Sequence, residues 1–109
     1  MRRDEPEFLY LTTTGRKSGQ PRRIEIWFTE RQGRYYLVAE HREKTQWVQN
    51  VRVAPQVHVE AGDRKVDATA RVVDALVEPD LHRAIQKQSE KKYGWGDGLV
   101  VELTPTAAP

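Results

Sequence analysis

The chain has 109 residues, of which 38% are hydrophobic and 31% are charged, with a formal net charge of +2 at pH 7 and no cysteine. This length suits one small domain, and the lack of thiols excludes disulfides, cysteine nucleophiles and cysteine-ligated metal centres. Apolar runs are short and the first six residues are mostly charged, so we expect neither a membrane-spanning segment nor a signal peptide. These features fit a protein of the reducing cytoplasm.

Three strands are predicted before residue 41. The aromatic and β-branched run at residues 8–12 predicts the first of them. Residues 22–29 alternate between polar and apolar side chains and include Phe28, so they predict a second strand that forms a hairpin with the first. After a turn at Gly33, residues 34–40 predict a third strand with apolar side chains on both faces, as in a small barrel.

The hydrophobic period then changes to that of a helix. Residues 43–53 carry an apolar stripe that includes Trp47, which predicts a short helix. Beyond this helix, a strand at 57–59 is expected to turn at 62–63 into a strand at 65–73, because apolar residues alternate on both sides of a Gly-Asp turn. A second antiparallel hairpin is therefore predicted.

The last third of the chain predicts one helix and one strand. Pro79 suits the first position of a helix that ends before Gly94. Residues 99–103 predict a closing strand, whereas residues 1–6 and 104–109 are expected to be frayed tails. The order β-β-β-α-β-β-α-β, with short connections, predicts a mainly β, α+β domain in which an antiparallel barrel is flanked by two helices.

Segment 12–23 gathers hydroxyls, glycines and cations in one predicted turn. Gly15 and Gly19 permit close backbone approach, and the surrounding hydroxyl and cationic groups suit a phosphate or a carboxylate. The two glycines are too close together for a nucleotide-binding P-loop. A solvated basic hairpin is the alternative interpretation. The candidate anion ligands are Arg16, Lys17, Ser18 and Arg22.

Three motifs stand in order along the chain. They are LTTTGRKSGQPR at 11–22, G-x-Y-x-L-V-A at 33–39, and W-x-x-N-x-x-x-A-P-x-V-x-V at 47–59. In content, order and spacing they resemble the deazaflavin-dependent nitroreductase family of the split β-barrel flavin-binding superfamily. The resemblance runs from about residue 9 to about residue 70 and is weaker in the last helix and strand.

The resemblance implies a split β-barrel of about six mostly antiparallel strands with two flanking helices, in a single domain over residues 1–109. It also implies the reduced deazaflavin coenzyme F420 as hydride donor to a small organic acceptor of nitroaromatic, quinone or enone type. The coenzyme carries a phosphodiester and an oligoglutamate tail, and this anionic handle matches the basic turn.

Further site residues follow from the same resemblance. It implies that Trp47 and Asn50 border the ring or the ribityl-phosphate region, the alternatives being a core tryptophan and a helix-surface asparagine. Tyr93 and Trp95 lie roughly where relatives place tyrosines beside the substrate. Tyr93 is a candidate to donate a hydrogen bond or a proton to the acceptor, the alternative being an aromatic cap on the barrel.

The loop after the third strand departs from the family. Many relatives are glycine-rich there, whereas this chain has Glu40, His41 and Arg42, which we take as candidates for contacts to the ring or the phosphate. The alternative is a charged solvent loop. Glu25 is a second departure, because a proline is frequent near that position, and it leaves the substrate class open.

Other functions remain as alternatives at this stage. The same fold could bind FMN, FAD or haem, or serve as an interaction module without a coenzyme. A small barrel that binds nucleic acid is disfavoured, because acidic residues interleave with the basic ones. The histidines are scattered and predict no metal site. The polar composition is consistent with a homodimer whose partner completes a pocket.

Overall fold

The computed structural model describes residues 6–106, which form seven strands, two α-helices and one 3-10 turn. The strands are β1 (Phe8–Thr14), β2 (Pro21–Trp27), β3 (Thr29–Arg31), β4 (Arg34–Ala39), β5 (Gln56–Ala61), β6 (Arg64–Val73) and β7 (Leu99–Pro105). The helices are α1 (Gln46–Val53), preceded by the 3-10 turn Arg42–Lys44, and α2 (Pro79–Tyr93). Within this part of the chain, no helix has the length and apolar content that a membrane crossing requires.

The strands form one sheet in the order β2-β1-β5-β6-β7-β4-β3, and every neighbouring pair is antiparallel. The two end strands, β2 and β3, are consecutive in the chain and are separated only by Phe28. The sheet must therefore curl until its two ends meet at this residue, which gives a barrel-like form. The predicted mainly β fold with an antiparallel barrel and two helices is confirmed.

Several predicted boundaries shift; the helix predicted from residue 43, for example, begins at Gln46 after the 3-10 turn. Two of the differences depend on strand pairing. Residues 22–29 are two strands, because the chain changes partners at Phe28: β2 pairs with β1, whereas β3 pairs with β4. The predicted tail at 104–109 starts too early, since Thr104 and Pro105 belong to β7 and pair with β6. Residues 1–5 and 107–109, also predicted as tails, lie outside the described residues.

Two apolar clusters hold the sheet. The larger fills the concave side and receives Trp47, Val48 and Val51 from α1. The smaller lies between the sheet and α2, where Ile85 packs against Val100 and other residues of β4, β6 and β7. The two helices therefore lie against different clusters and fix the sheet's curvature.

The corner at Phe28 is fastened by the C-terminal end of α2. Phe28 is only 1% exposed, and its backbone N–H donates to the Tyr93 hydroxyl at 3.0 Å. The ammonium of Lys92 donates to the Phe28 carbonyl at 2.9 Å and lies over the Phe28 ring. Side-chain burial and backbone hydrogen bonds thus fix the same residue.

We expect Phe28→Ala to lower the free energy of unfolding by about 3–5 kcal/mol, because it opens a cavity at the junction of the two sheet ends. Urea denaturation measures this loss. The matched control is Val53→Ala, since Val53 is 67% exposed and its loss should cost no more than about 0.5 kcal/mol. Equal losses in the two variants would contradict the central role of this corner.

Candidate active site

Two cavities adjoin on the surface, and Trp47 lines both. The first, which we call the anion pocket, has a volume of about 440 Å³. It lies between the turn joining β1 to β2 and the start of α1. The second, the aromatic pocket, has a volume of about 570 Å³ and lies between β2, β4 and the segment after α2.

The structure brings most of the predicted site residues together. Six of them line the anion pocket, namely Arg16, Lys17, Ser18, Arg22, Trp47 and Asn50. Glu40 and His41 line the aromatic pocket, together with the shared Trp47. Arg42 and Tyr93 line neither of these two pockets.

The turn that forms the anion pocket is held by its own backbone. The Gly15 N–H donates to the Gln20 carbonyl at 2.8 Å, and the Gly19 N–H donates to the Gly15 carbonyl at 2.8 Å. Gly19 has a φ of 72°, which favours glycine. A Cβ on Gly15 would lie 2.8 Å from the Ser18 hydroxyl oxygen, so a side chain there would fill the space beside the polar groups.

Asn50 joins helix α1 to this turn. Its side chain is only 6% exposed, and its Oδ1 accepts hydrogen bonds from the Arg16 backbone N–H at 3.2 Å and from Arg16 Nη1 at 2.9 Å. Asn50 Nδ2 donates to the Thr13 hydroxyl at 3.3 Å. Arg16 Nη2 donates further to Gln46 Oε1 at 2.9 Å. Two neutral amides therefore orient the Arg16 guanidinium and leave its charge uncompensated.

The anion pocket gathers three cationic side chains that have no carboxylate partner among residues 6–106. Within residues 6–106, no carboxylate lies within 4.0 Å of the charged groups of Arg16, Lys17 or Arg22. Four arginines outside the pocket, Arg23, Arg42, Arg64 and Arg71, do contact carboxylates, Arg23 with Glu60 at 3.2 Å for example. Clustered cations without a counter-charge favour binding of an anion, because a bound anion relieves their mutual repulsion.

The aromatic pocket is built from residues that are distant in sequence. Rings from Phe8, Trp27, Tyr36 and Trp95 line it together with Trp47. The Trp27 ring stacks on the Tyr93 ring, with centroids 4.4 Å apart and an interplanar angle of 4°. Such a wall suits a flat conjugated ligand.

Sequence reasoning missed several of these residues. Trp27 reaches the pocket from β2, and nothing in the local sequence marks it as a site residue. Trp95, which the family resemblance placed with Tyr93 near the substrate, does line the pocket. Thr45 was also missed: it is the N-cap residue of α1, its side chain makes no cap hydrogen bond, and its buried hydroxyl has no partner among residues 6–106. A threonine before a helical stripe was the available signal for this cap position.

The family comparison decides the class of this site. A family model described as F420H(2)-dependent quinone reductase matches residues 3–97. The chain belongs to this family. The resemblance to deazaflavin-dependent reductases is thereby confirmed, and the chain is an oxidoreductase.

Solved structures agree with the family membership. An F420-H2 dependent reductase, FDR-A, is 27% identical over 89% of this chain and 93% of its own, with a TM-score of 0.60. A structure described as a domain-swapped dimer is 26% identical over 89% of this chain and 79% of its own, with a TM-score of 0.64. The haem storage protein HutZ from Vibrio cholerae, 20% identical over 97% and 86%, shares the fold with a TM-score of 0.77.

Arg42 does not contribute to either pocket of this F420H2-dependent quinone reductase family member. Its φ is 52°, and its guanidinium contacts Asp97 at 3.0 Å. This ion pair ties the loop after β4 to the loop before β7. Gly98 lies against the same loop, since a Cβ there would be 2.4 Å from the Ala39 carbonyl oxygen.

The Tyr93 hydroxyl is surrounded by backbone groups. It accepts from the Phe28 N–H and lies within hydrogen-bond distance of the carbonyl oxygens of Phe28, at 2.8 Å, and of Glu7. These contacts favour the interpretation of Tyr93 as a cap over that of an acceptor ligand. The role of proton donor stays an untested prediction.

Hydrogen bonds and ion pairs around the buried Glu102 support the wall of the aromatic pocket. Tyr36, which lines the pocket, donates to Glu102 Oε2 at 2.8 Å, and Arg71 Nε donates to Glu102 Oε1 at 3.1 Å. Burial raises the pKa of Glu102, but the hydrogen bonds from Arg71 and Tyr36 outweigh it and hold the pKa below its ordinary value. The pKa of Tyr36 is raised, mainly by burial and next by its hydrogen bond to Glu102. Bonds to Glu78 and Glu102 raise the pKa of Arg71.

We expect Asn50→Asp to preserve the fold while abolishing most anion binding. The new carboxylate keeps the bonds to Arg16 but neutralises its charge. The measurement is the rise in thermal unfolding midpoint on adding pyrophosphate, which should be smaller in this variant than in the wild type. Gln56→Glu is the control. Gln56 is an exposed residue of β5 that does not line the anion pocket, and this substitution makes the same change in net charge. Equal shifts in both variants would contradict this prediction.

Glu102 also generates a pH prediction. A carboxyl whose pKa is lowered by folding stabilises the fold above its unfolded pKa of about 4.3, and this contribution is lost as the pH falls through the lowered pKa. We therefore expect Glu102→Gln to be less stable than the wild type at about pH 7, with the difference shrinking towards about pH 2. Urea denaturation across this range measures it. Glu43→Gln, at an exposed position, should show no such convergence.

Proposed function

We propose that this chain is an F420H2-dependent reductase that holds the anionic tail of coenzyme F420 in the anion pocket and brings a small planar acceptor into the aromatic pocket. The observation that carries this proposal is the junction of the two cavities at Trp47, with uncompensated cations on one side and aromatic rings on the other. A tail-and-ring molecule requires such a pair of adjoining sites.

The donor chemistry fits the coenzyme. Lys17 and Arg22 supply charge-assisted hydrogen bonds to phosphate or carboxylate oxygens, and Arg16 is already oriented by Asn50. The absence of a side chain at Gly15 lets the Ser18 hydroxyl and the Arg22 guanidinium pack close to the backbone of the turn, within 3.3 Å of where a Cβ would lie, and both residues line the anion pocket. The unpartnered Thr45 hydroxyl supplies a further polar contact on the aromatic side.

The reduced deazaflavin, when bound, supplies the hydride. The work of the chain is to bind, to orient and to exclude water. The basic turn fixes the tail, Trp47 limits the position of the ring, and the rings of Trp27 and Trp95 cover the acceptor. Glu40 and His41 border the acceptor at the rim of the aromatic pocket. In this proposal Arg42 and Tyr93 act on the loop and the barrel corner.

The acceptor and the assembly are part of the proposal. A quinone is the first acceptor to test, given the name of the family model, followed by nitroaromatics and enones. A cytoplasmic homodimer is proposed as the assembly, supported by the structural neighbour described as a domain-swapped dimer and by Trp27, which is 46% exposed beside an open pocket. Sedimentation analysis with and without coenzyme tests the dimer.

Titration of the purified protein with F420, FMN, FAD and haemin, followed by fluorescence, tests the coenzyme. We expect F420 to bind best. Lys17→Ala and Arg22→Ala should each weaken its affinity by about tenfold, because each removes one charge-assisted contact. Lys65→Ala, which removes an exposed cation on β6 outside the anion pocket, is the control and should bind as the wild type does.

Three outcomes count against the proposal. Tighter binding of FMN or FAD would reassign the coenzyme to a flavin, and tighter binding of haemin would favour a haem protein. Unchanged F420 affinity in both Lys17→Ala and Arg22→Ala would remove the basic turn from the site. Urea denaturation of each variant establishes that lost binding does not reflect lost folding.

A further inference from the structure

The two adjoining pockets carry opposite charges. Among residues 6–106, the cations of the anion pocket have no carboxylate partner, whereas the aromatic pocket is lined by two acidic residues, Glu25 and Glu40. Both residues are exposed, and within residues 6–106 neither has a cationic group within 4.0 Å. The nearby Arg42 does not offset them, because its guanidinium is paired with Asp97.

The aromatic wall beside these carboxylates is rigid. One face of the Trp27 ring is covered by Tyr93, whose hydroxyl is held by backbone groups of the barrel corner. Trp27 remains 46% exposed and lines the pocket. A fixed indole next to uncompensated carboxylates offers a π-face and negative charge to the same ligand.

We propose that the aromatic pocket selects planar aromatic molecules by charge, with cationic ones bound best, neutral ones next and anionic ones rejected. Two effects act in the same direction. The indole face attracts a cation through its quadrupole, and Glu25 and Glu40 attract a positive and repel a negative substituent. That these molecules are the hydride acceptors rests on the proposed function. The charge separation also keeps the anionic coenzyme tail out of the acceptor site.

The expected difference in affinity is limited because Glu25 and Glu40 are exposed to solvent. Solvent screens exposed carboxylates, so we expect about tenfold in affinity between cation and neutral molecule and a similar step to the anion, not more. The steps should shrink as salt rises from about 0.01 M to about 0.15 M. Replacement of both glutamates by glutamine should bring the affinities for the cationic, neutral and anionic molecules to within about threefold of one another.

The test uses three ligands with one ring and different charge: 4-nitrobenzylamine, 4-nitrobenzyl alcohol and 4-nitrobenzoate. Nitroaromatics quench tryptophan fluorescence, so binding is measured without coenzyme or turnover. The proteins are the wild type, Glu25→Gln, Glu40→Gln, the double variant, and Glu90→Gln as a control on the exposed face of α2. We expect the order amine, alcohol, benzoate in the wild type and in Glu90→Gln, and its loss in the double variant.

The results separate this inference from the proposed function. Equal binding of the three ligands, no saturable quenching by any of them, or an unchanged order in the double variant would overturn the charge selection. F420 titration of the same preparations is the second measurement. If F420 binds while the order is absent, charge selection alone fails. If the order holds while F420 does not bind, the proposed coenzyme fails and charge selection stands.

Discussion

The buried amide of Asn50 is the contact on which the site depends. It ties helix α1 to the turn after β1 by accepting from Arg16 and donating to Thr13. A carboxylate at this place could accept the same bonds from Arg16, but it could not donate to Thr13 and it would cancel the charge that the turn presents. The neutral amide of Asn50 meets both needs: it pairs with the donors of Arg16, and it leaves the positive charge of Arg16 available to a ligand.

The closure of the sheet brings the two pockets into contact. Because the sheet curls until β2 meets β3 at Phe28, Glu25 and Trp27 on β2 come to face the end of β4. Helix α1 crosses between the two cavities, and its Trp47 belongs to the apolar core as well as to both pocket walls. The core and site interpretations of Trp47 are therefore compatible.

Local patterns predicted the elements and the basic turn, because period, turn residues and clustered cations act over short distances. These patterns gave wrong strand boundaries where pairing with a strand distant in sequence determines the structure. Alternation continues through Phe28 although the strand changes neighbours there, and β7 extends to Pro105 because Thr104 finds a partner in β6. Trp27 was missed as a pocket residue for the same reason, since it meets Trp47 and Trp95 only through the closed sheet.

The backbone conformation of the loop after β4 explains how its charged residues are accommodated beside the pocket. The family resemblance leads one to expect glycines there, whereas this chain has bulky charged residues, which would crowd a ring site if they all pointed inward. The left-handed φ of Arg42 and its ion pair with Asp97 turn that side chain outward, towards the loop before β7. Glu40 and His41 are left at the pocket rim. The loop thus places a carboxylate residue at the aromatic pocket and not at the anion pocket, which is why acceptor selection, rather than coenzyme binding, is the property that this loop should alter.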